Sequence, residues 1–369
     1  MRGLSALVKP INACQKWIVP AGITHFSTKA QPKQWPRKII SGIQPTGVLH
    51  IGNYFGAVQR WVQMQESGEN VIIFLADLHS MTMPYEPAQL RENIYELTAT
   101  LLACGIDTKK TPIFLQSTIP QHAELCWILS CLCTMLRLSH LPQFKEKSAE
   151  VKDIYTGLFM YPVLQAADIL MHKATHVPCG EDQLQQLQLA AHLAKVFNTK
   201  FGETFPIIEP MIGQDASGRI RSLRDPSKKQ SKSDPSDQSR IIMRDSPAAI
   251  RKKIKRAITD FTSEVTYDPE NRPGVSNLVG IHALVKNVSP QEICDQSKEL
   301  DTGKYKLVLA EDLVSLLDPI RLKIEDYLKN RDYLDSVLKE GRDVAAQTAE
   351  ATMKEVKSRI GVNILQNCR

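Results

Sequence analysis

The sequence predicts an α/β fold built on a parallel sheet, followed by an all-α region. Two observations support this prediction. Up to about residue 120, short segments rich in β-branched residues alternate with amphipathic segments, at the spacing of strand–helix–strand units. After residue 240, strand signals nearly vanish and apolar residues recur at helical spacing. We therefore expect two domains in the 369 residues, with a boundary near residue 235.

The first part of the chain contains three predicted strands. RKIISGI (37–43) is the first, and a helix over residues 52–66 follows it. NVIIFLAD (70–77) has the continuous apolar character of a strand buried on both faces. A helix then begins at Pro87, a residue type favoured in the first helical turn, and PIFLQS (112–117) is the third strand. Strands separated by helices in this way indicate parallel pairing.

The middle of the chain is predicted to be mostly helical. Residues 120–200 contain apolar helical segments, with an extended piece, THVPCG (175–180), before the last of them. FPIIEP (205–210) and RIRSL (219–223) have the composition of strands. Residues 225–239 are rich in Ser, Asp, Lys and Pro, which predicts a loop.

The C-terminal part is predicted to consist of helices. Ser246 followed by Pro247 is a typical helix start, and leucines between residues 309 and 328 have helical spacing. One helix, AAIRKKIKRAI, is strongly basic and predicts contacts with nucleic-acid phosphates, although a solvated charged face has the same pattern. Its basic residues are Arg251, Lys252, Lys253, Lys255 and Arg256.

The N-terminal segment differs from the rest of the chain in charge. Residues 1–38 contain seven basic residues and no acidic ones, and the first acidic residue is Glu66. This composition is typical of a mitochondrial transit peptide, which we predict over residues 1–30, although a disordered basic tail would look alike. Without these seven residues the net charge of +6 becomes −1, so only local basic patches can support an argument for nucleic-acid binding.

The composition argues against a membrane protein and against a metal site. No segment approaches the roughly 18 consecutive apolar residues of a membrane span. The eight cysteines form no C-x-x-C pair. Cys126, Cys131 and Cys133 lie in an apolar helical segment, so we expect buried free thiols and no metal ligands. Free thiols fit a reducing compartment such as the mitochondrial matrix.

The segment SGIQPTGVLHIGN (41–53), rich in glycine and polar residues, joins the first strand to the following helix. In open parallel sheets, ligands bind beyond the carboxyl ends of the strands, and a helix N-terminus offers N–H groups to phosphate. Gly52 lets a base or sugar approach the backbone, while His50 and Asn53 can donate hydrogen bonds to phosphate or ribose. A glycine-rich turn that serves only tight packing is the alternative.

A second candidate segment is KKQSKSD (228–234). Lys229 and Lys232, with Ser231 and Ser233, form a cluster of donors suited to a polyanion. Lysines on a flexible loop can stabilise the charge that appears on transferring phosphates. Taken alone, the segment could equally be a solvated surface loop.

Asp168 is unusual in its setting. It lies between Ala167 and Ile169 in an apolar helical segment, AADIL. An unpartnered charge is costly in such surroundings, so we expect this carboxylate to have a binding partner. The alternative is that Asp168 is an acid on the helix surface.

Together these segments resemble a known family. HIGN (50–53) and KQSKS (229–233) resemble the H-I-G-H and K-M-S-K-S signatures of class I aminoacyl-tRNA synthetases. SGIQPTG, QFKEKS, YPVLQAADIL, VPCGEDQ, DPSKKQSKSD and PGVSNL occur in the order found in tryptophanyl-tRNA synthetases, over roughly residues 38–280. The resemblance implies a Rossmann-like catalytic domain with a helical insertion over residues 36–235, and a helical anticodon-binding domain over residues 236–369.

The resemblance also implies roles for individual residues. It assigns ATP binding to Gln44, His50, Gly52, Asn53, Gly180, Glu181, Asp182, Ile220, Lys229, Gln230, Ser231, Lys232 and Ser233. It assigns catalytic contributions on the phosphates to Lys229, Lys232 and Lys147. Asp168 would accept the indole N–H of tryptophan, which has one donor and no acceptor. The other residues assigned to the tryptophan site are His79, Gln183 and Gln165. From its residue type alone, His79 could equally be a structural histidine.

Two positions depart from the family pattern. Gln230 stands where K-M-S-K-S has methionine, and Gln165 stands where methionine usually precedes AAD. Tyrosyl-tRNA synthetases often have glutamine in a place comparable to Gln165, so they are the alternative family, although GEDQ (180–183) matches the tryptophan enzymes better.

The implied reaction uses ATP as a substrate, with Mg²⁺ carried by the phosphates and no metal ligand from the protein. The implied partners are L-tryptophan, tRNA(Trp) and a second copy of the chain in a homodimer, and the implied location is the mitochondrial matrix. A function of another class, a catalytically inactive RNA-binding protein on a synthetase scaffold, is disfavoured by the intact Gln44, Asp168, Lys229 and Lys232.

Overall fold

The computed structural model of the protein describes residues 34–141, 155–212, 220–230 and 236–362. Contacts along the chain group the residues into two units, Met1–Gln34 and Trp35–Arg369. The second unit contains the helices and strands that follow.

A five-stranded parallel sheet lies at the centre of this unit. Its strands are β1 (Ile39–Ile43), β2 (Val71–Leu75), β3 (Ile113–Leu115), β4 (His176–Cys179) and β5 (Glu209–Ile212). The order across the sheet is β3-β2-β1-β4-β5, and each neighbouring pair is parallel. All five residues of β2 are buried, as expected for an apolar strand covered on both faces.

Helices cover the sheet and continue to the C-terminal end of the described chain. They are α1 (Ile51–Asn53), α2 (Gln59–Glu66), α3 (Asp77–Ser80), α4 (Pro87–Ala103), α5 (Gln121–Ser130), α6 (Met135–Ser139), α7 (Thr156–Met171), α8 (Leu184–Phe201), α9 (Pro247–Lys255), α10 (Pro273–Lys286), α11 (Pro290–Gln296), α12 (Thr302–Lys329) and α13 (Arg331–Ile360). A π-helical turn, Tyr54–Val58, joins α1 to α2. None of the helices in the described ranges combines the length and the apolar character needed to cross a membrane.

The sheet has a topological switch point between β1 and β4. From β1 the chain moves to β2 and β3 on one side, and it returns to β4 and β5 on the other. Ligands of open α/β sheets bind in the crevice at such a point, beyond the carboxyl ends of the strands. The residues that follow β1 and those that follow β4 therefore meet at this edge.

The C-terminal helices pack against the sheet domain. Helix α12 contacts α4, and α13 runs along β3, the strand at the edge of the sheet. Covering an edge strand in this way satisfies the need to protect it from pairing with other chains. Contacts therefore cross the boundary predicted near residue 235. The division into a catalytic domain (36–235) and an anticodon-binding domain (236–369) stays a prediction about function.

Most predicted elements are confirmed, two predictions are wrong, and the strand predicted over residues 205–210 lies instead at Glu209–Ile212. Residues 219–223 form no strand in their described part, which contributes only an isolated bridge between Arg221 and Lys229. The helix predicted through CWILSCLC ends at Ser130, and a new helix starts where the Thr134 side chain accepts the Arg137 N–H. This break leaves Cys131 exposed and Cys126 and Cys133 half-buried, so the expectation of fully buried thiols was wrong.

Gly341 tests the packing of α13 on the sheet. A Cβ at this position would overlap the backbone of Ile113 in β3, so we expect Gly341→Ala to destabilise the protein by about 1–3 kcal/mol, the usual cost of overpacking. The matched control is Gly280→Ala in the interior of α10, where a Cβ meets open space. There alanine should stabilise by up to about 1 kcal/mol. Denaturant unfolding measures both, and equal effects of the two substitutions would contradict this packing.

Candidate active site

The loop after β1 ends in a histidine that caps the next helix. The Nδ1 atom of His50 accepts the Gly52 N–H at 3.0 Å, and the Asn53 Oδ1 accepts the His50 N–H at 3.3 Å. A Cβ at Gly52 would lie 2.8 Å from the His50 ring, which explains the glycine. Because Nδ1 accepts, a neutral His50 carries its proton on Nε2, and the Asn53 amide keeps its N–H groups as donors.

This loop is hydrogen-bonded to the segment that follows KKQSKSD. The Ile51 N–H donates to the Ile241 carbonyl at 3.0 Å, and the Met243 N–H donates to the Leu49 carbonyl at 2.8 Å. The HIGN residues and the C-terminal flank of the lysine segment therefore belong to one backbone framework. Gln44 is exposed between β1 and this framework.

The described part of the lysine segment pairs with residues 220–222. The Gln230 N–H donates to the Ile220 carbonyl at 3.1 Å, and the Ser222 N–H donates to the Lys228 carbonyl at 2.9 Å. The Lys229 side chain is exposed, whereas Gln230 and Ile220 are buried. Lys147, Ser231, Lys232 and Ser233 lie outside the described residues.

Gln230, which replaces the usual methionine, has a buried side-chain amide without a hydrogen-bond partner among the described residues. Its side chain is 5% exposed, and within the described ranges neither amide atom has a partner. Burying an amide without hydrogen bonds costs free energy that a methionine would not.

The turn after β4 lies on the other side of the switch point. Residues Glu181–Gln183 form a 3₁₀ turn in which the Gln183 N–H donates to the Gly180 carbonyl at 3.0 Å. A Cβ at Gly180 would come within 2.6 Å of the Asp182 carboxylate, so glycine permits this tight turn. Gly180, Glu181 and Asp182 are exposed at the crevice, and the Gln183 amide donates to Asp182 at 2.6 Å.

Asp168 is completely buried and accepts three side-chain hydrogen bonds. The Gln116 amide and the His122 Nδ1–H donate to Oδ1 at 2.8 and 2.6 Å, and the His79 Nε2–H donates to Oδ2 at 2.7 Å. Gln116 directly follows β3, and His79 lies on α3, just after β2. The carboxylate thus joins α7 to the carboxyl ends of two strands.

These donors keep the carboxylate ionised. Burial alone would raise the pKa of Asp168, but hydrogen bonds from His122 and His79 outweigh it and hold the pKa well below its usual range. Asp168 is therefore a buried anion, and the alternative of an acid on the helix surface is wrong.

Sequence reasoning missed three polar residues of this cluster: Gln116, His122 and His172. His172 is buried, with its Nε2 3.2 Å from the His122 Nε2. One signal was present, because Asp168 and His172 are four residues apart at the end of one apolar helix and share a face. Gln165 lies half-buried on α7, one turn before Asp168.

Comparison with known proteins decides the family. The sequence model of the class I tRNA synthetases (W and Y) matches residues 33–318. A tryptophan–tRNA ligase from Caldanaerobacter subterraneus is 42% identical over 326 residues, covering 88% of this chain and 98% of its own length. The chain belongs to the tryptophanyl-tRNA synthetase family.

The fold of this synthetase agrees with solved structures. Tryptophanyl-tRNA synthetase from Mycoplasma pneumoniae aligns with a TM-score of 0.78 and 32% identity, covering 88% of this chain and 97% of that one. The enzyme from Campylobacter jejuni, solved with ADP and tryptophan, aligns with a TM-score of 0.77 and 31% identity, with coverage of 88% and 99%. The prediction of a Rossmann-like parallel sheet with a helical C-terminal region is confirmed.

The basic helix of this synthetase is less available to RNA than the sequence suggested. Lys253 on α9 is buried and pairs with Asp245 at 2.8 Å and Asp237 at 3.2 Å. Arg251 pairs with Glu311 at 2.6 Å. The expectation of five phosphate-contacting residues is therefore wrong for Lys253, which has a structural role. The exposed members of the set are Arg251, Lys252, Lys255 and Arg256, of which Arg251 is already held in its ion pair.

The buried amide of Gln230 leads to a prediction. Gln230→Met removes two polar atoms that have no partner within the described ranges, at similar volume, so we expect a gain in the free energy of unfolding of about 1 kcal/mol. The control is Gln185→Met on α8, where the side chain is exposed and the effect should stay within about 0.5 kcal/mol. Urea unfolding measures both. A loss of stability in Gln230→Met would show that the amide finds a partner.

Proposed function

We propose that this synthetase charges a mitochondrial tRNA(Trp) with L-tryptophan, with the residues at the switch point binding ATP and with Asp168 selecting the amino acid. The ligase activity follows from the family. The observation that supports the amino-acid assignment most directly is the buried, ionised Asp168 carboxylate beside the edge of the sheet where nucleotides bind.

The proposed reaction has two steps. The tryptophan carboxylate attacks the α-phosphate of ATP in line, and pyrophosphate leaves, which produces tryptophanyl-adenylate. The 2′-hydroxyl of the terminal adenosine of the tRNA then attacks the carbonyl carbon, and AMP leaves. No covalent enzyme nucleophile is needed, so the protein acts by positioning the reactants and stabilising charge.

Each side of the crevice contributes donors to ATP in this proposal. The Nε2–H of His50 and the amide of Asn53 donate to phosphate and ribose, an orientation that the helix cap supports. The turn at residues 180–182 faces the adenosine, and Ile220 packs beside the adenine. Gln44 completes the loop after β1.

The lysine segment is assigned to the phosphates. Lys229 is exposed beside the backbone framework, and Lys147, Gln230, Ser231, Lys232 and Ser233 are proposed from the family resemblance. Mg²⁺ is usually held by carboxylates together with substrate phosphates, and the side chains assigned to the phosphates include no carboxylate, so the ATP phosphates would carry the ion. When bound, it supplies further neutralisation of phosphate charge.

Asp168 has one acceptor position suited to the indole. Within the part of the chain that the structure describes, its Oδ2 accepts one hydrogen bond, from His79, and a carboxylate oxygen can accept two. The carboxylate is closed to solvent, so tryptophan can reach Oδ2 only when a neighbouring side chain moves. His79 is the least buried of the three donors and is the side chain that we assign to this movement. Gln165 and Gln183 would orient the rest of the amino acid.

An exchange assay tests the substrate assignment. We expect ATP–pyrophosphate exchange with tryptophan alone among the twenty amino acids. In Asp168→Asn, the new amide N–H would face one of the side chains that donate to Asp168. The KM for tryptophan should rise at least about tenfold, because the hydrogen bond from the indole N–H to a charged acceptor is lost. The KM for ATP should change much less. Efficient exchange with tyrosine would favour the sister family, and no exchange with any amino acid would favour an inactive RNA-binding protein.

We also propose that the protein is a homodimer. Large apolar side chains are exposed on the consecutive helices α5 and α6: Trp127 is 72%, Met135 76% and Leu136 68% exposed. Exposed apolar residues grouped in this way are typical of an interface, and a second copy of the chain is the proposed partner.

The dimer proposal predicts the effect of a charge at its centre. Trp127→Asp should convert the dimer to a monomer in sedimentation equilibrium while the circular dichroism spectrum stays unchanged, because a buried unpaired carboxylate opposes association. The control is Leu322→Asp, at a 52% exposed position on α12, which should remain dimeric. A wild-type chain that sediments as a monomer would overturn the proposal.

The mitochondrial location is proposed from the N-terminal segment. The family match begins at residue 33, so residues 1–30 of the basic, acid-free segment lie outside it. A fusion of residues 1–30 to a reporter should enter the mitochondrial matrix, and the chain without these residues should keep its exchange activity but not be imported. Import of the truncated chain would contradict this assignment.

A further inference from the structure

We propose that His172 is a positioning residue for tryptophan recognition: through His122, it fixes the orientation of the Asp168 carboxylate. The proposal rests on the proposed role of Asp168 as acceptor of the indole N–H. Neither His172 nor His122 belongs to the sequence signatures that identify the family.

Three side chains form a continuous hydrogen-bonded row. The His172 and His122 Nε2 atoms are 3.2 Å apart, and the opposite ring nitrogen of His122, Nδ1, is 2.6 Å from the Asp168 Oδ1. All three side chains are completely buried. His172 directly follows α7, one turn after Asp168, so the same helix holds both ends of the row and His122 on α5 bridges them.

The proton positions in this row follow from its geometry. His122 must carry a proton on Nδ1 to donate to Asp168. If His122 is neutral, its Nε2 is an acceptor, and the proton between the two rings belongs to the His172 Nε2. His172 Nδ1 is then unprotonated, and no hydrogen-bond partner for it exists within the described residues.

The surroundings favour this arrangement over a charged His172. Burial lowers the pKa of His172 well below its ordinary value, and the positive charge of Lys38 adds to this effect, against the opposing charge of Asp168. Phe114 packs against the His172 ring at a centroid distance of 5.3 Å and against the His122 ring at 5.9 Å, which separates the row from water. A neutral His172 with its proton on Nε2 leaves only a lone pair unpartnered.

The consequence for Asp168 is directional. When the His172 Nε2–H donates to the His122 Nε2, His122 has one favourable tautomer, with its proton on Nδ1. In this tautomer His122 donates to the Asp168 Oδ1. Without the donor from His172, the buried Nε2 of His122 loses its partner, and the other tautomer would turn a lone pair toward the carboxylate. The Asp168 carboxylate would then lose a donor on Oδ1, and Oδ2 would no longer be held for the indole N–H.

A pair of variants separates the hydrogen bond from the packing. His172→Phe keeps a ring against Phe114 but removes the donor. His172→Gln places an amide N–H at a reach similar to that of Nε2. We expect the KM for tryptophan in ATP–pyrophosphate exchange to rise about tenfold in His172→Phe, with little change for ATP, and to recover most of the way in His172→Gln.

A substrate analogue makes the test specific for the indole N–H. β-(3-Benzothienyl)alanine has sulfur in place of the N–H at nearly the same shape. The wild-type enzyme should prefer tryptophan over this analogue, and the preference should shrink about tenfold in His172→Phe and in Asp168→Asn. A packing defect would instead weaken both substrates equally. Thermal unfolding of each variant confirms that it is folded.

The outcomes distinguish the two levels of the proposal. If Asp168→Asn loses the preference and His172→Phe keeps it, the positioning role of His172 is overturned and the role of Asp168 stands. If the preference is unchanged in Asp168→Asn, the role of Asp168 as indole acceptor is overturned, and the role of His172 with it. Equal loss of both substrates in His172→Phe, without recovery in His172→Gln, overturns the positioning role as well.

Discussion

A buried carboxylate has to find its hydrogen-bond donors inside the fold, and Asp168 finds them on three separate elements. Gln116 follows β3, His79 follows β2, and His122 lies on α5. All three donate hydrogen bonds to this one residue of α7. Leaving a buried charge without its partners typically costs about 3–5 kcal/mol. As long as Asp168 is ionised, this cost keeps β2, β3, α5 and α7 in their relative positions. The same constraint holds an acceptor in a defined direction next to the carboxyl edge of the sheet. In the proposed function, this direction selects an amino acid whose side chain has a single N–H donor.

The segments that we propose to bind ATP are held together by a different kind of interaction. Backbone hydrogen bonds join residues 49–51 to residues 241–243, so the HIGN helix cap and the flank of the lysine segment share one framework. Backbone bonds of this kind hold the base of the segment, while the side chains that would contact phosphate, such as Lys229, remain exposed. A rigid base with exposed lysines suits the proposed stabilisation of charge that develops only during the reaction, because the lysines would lie near the phosphates without being buried beforehand. The buried Gln230 sits at the junction between the two.

Particular residues show how far the sequence could be interpreted before the structure. Asp168 was recognisable because a charge inside an apolar helix has to be explained. Its partners Gln116 and His122 were not, because they are 52 and 46 residues away and no spacing rule links them. Likewise, Lys253 looked like the other basic residues of its helix, yet it is buried and forms ion pairs with Asp245 and Asp237. Cys131 looked like a core residue, yet the helix ends just before it.

By itself the sequence determined the first three strands of the sheet, the starts of the helices at Ser246 and Pro87, the two signature segments and the family. These depend on residues within a few positions of one another, because periodicity and capping act over one or two helical turns. Only the tertiary structure decided which side chains surround Asp168, which lysines are exposed, and how α13 closes the edge of the sheet at Gly341. Burial and hydrogen bonding between distant segments depend on the packing of the whole chain, and the local spacing of residues does not indicate that packing.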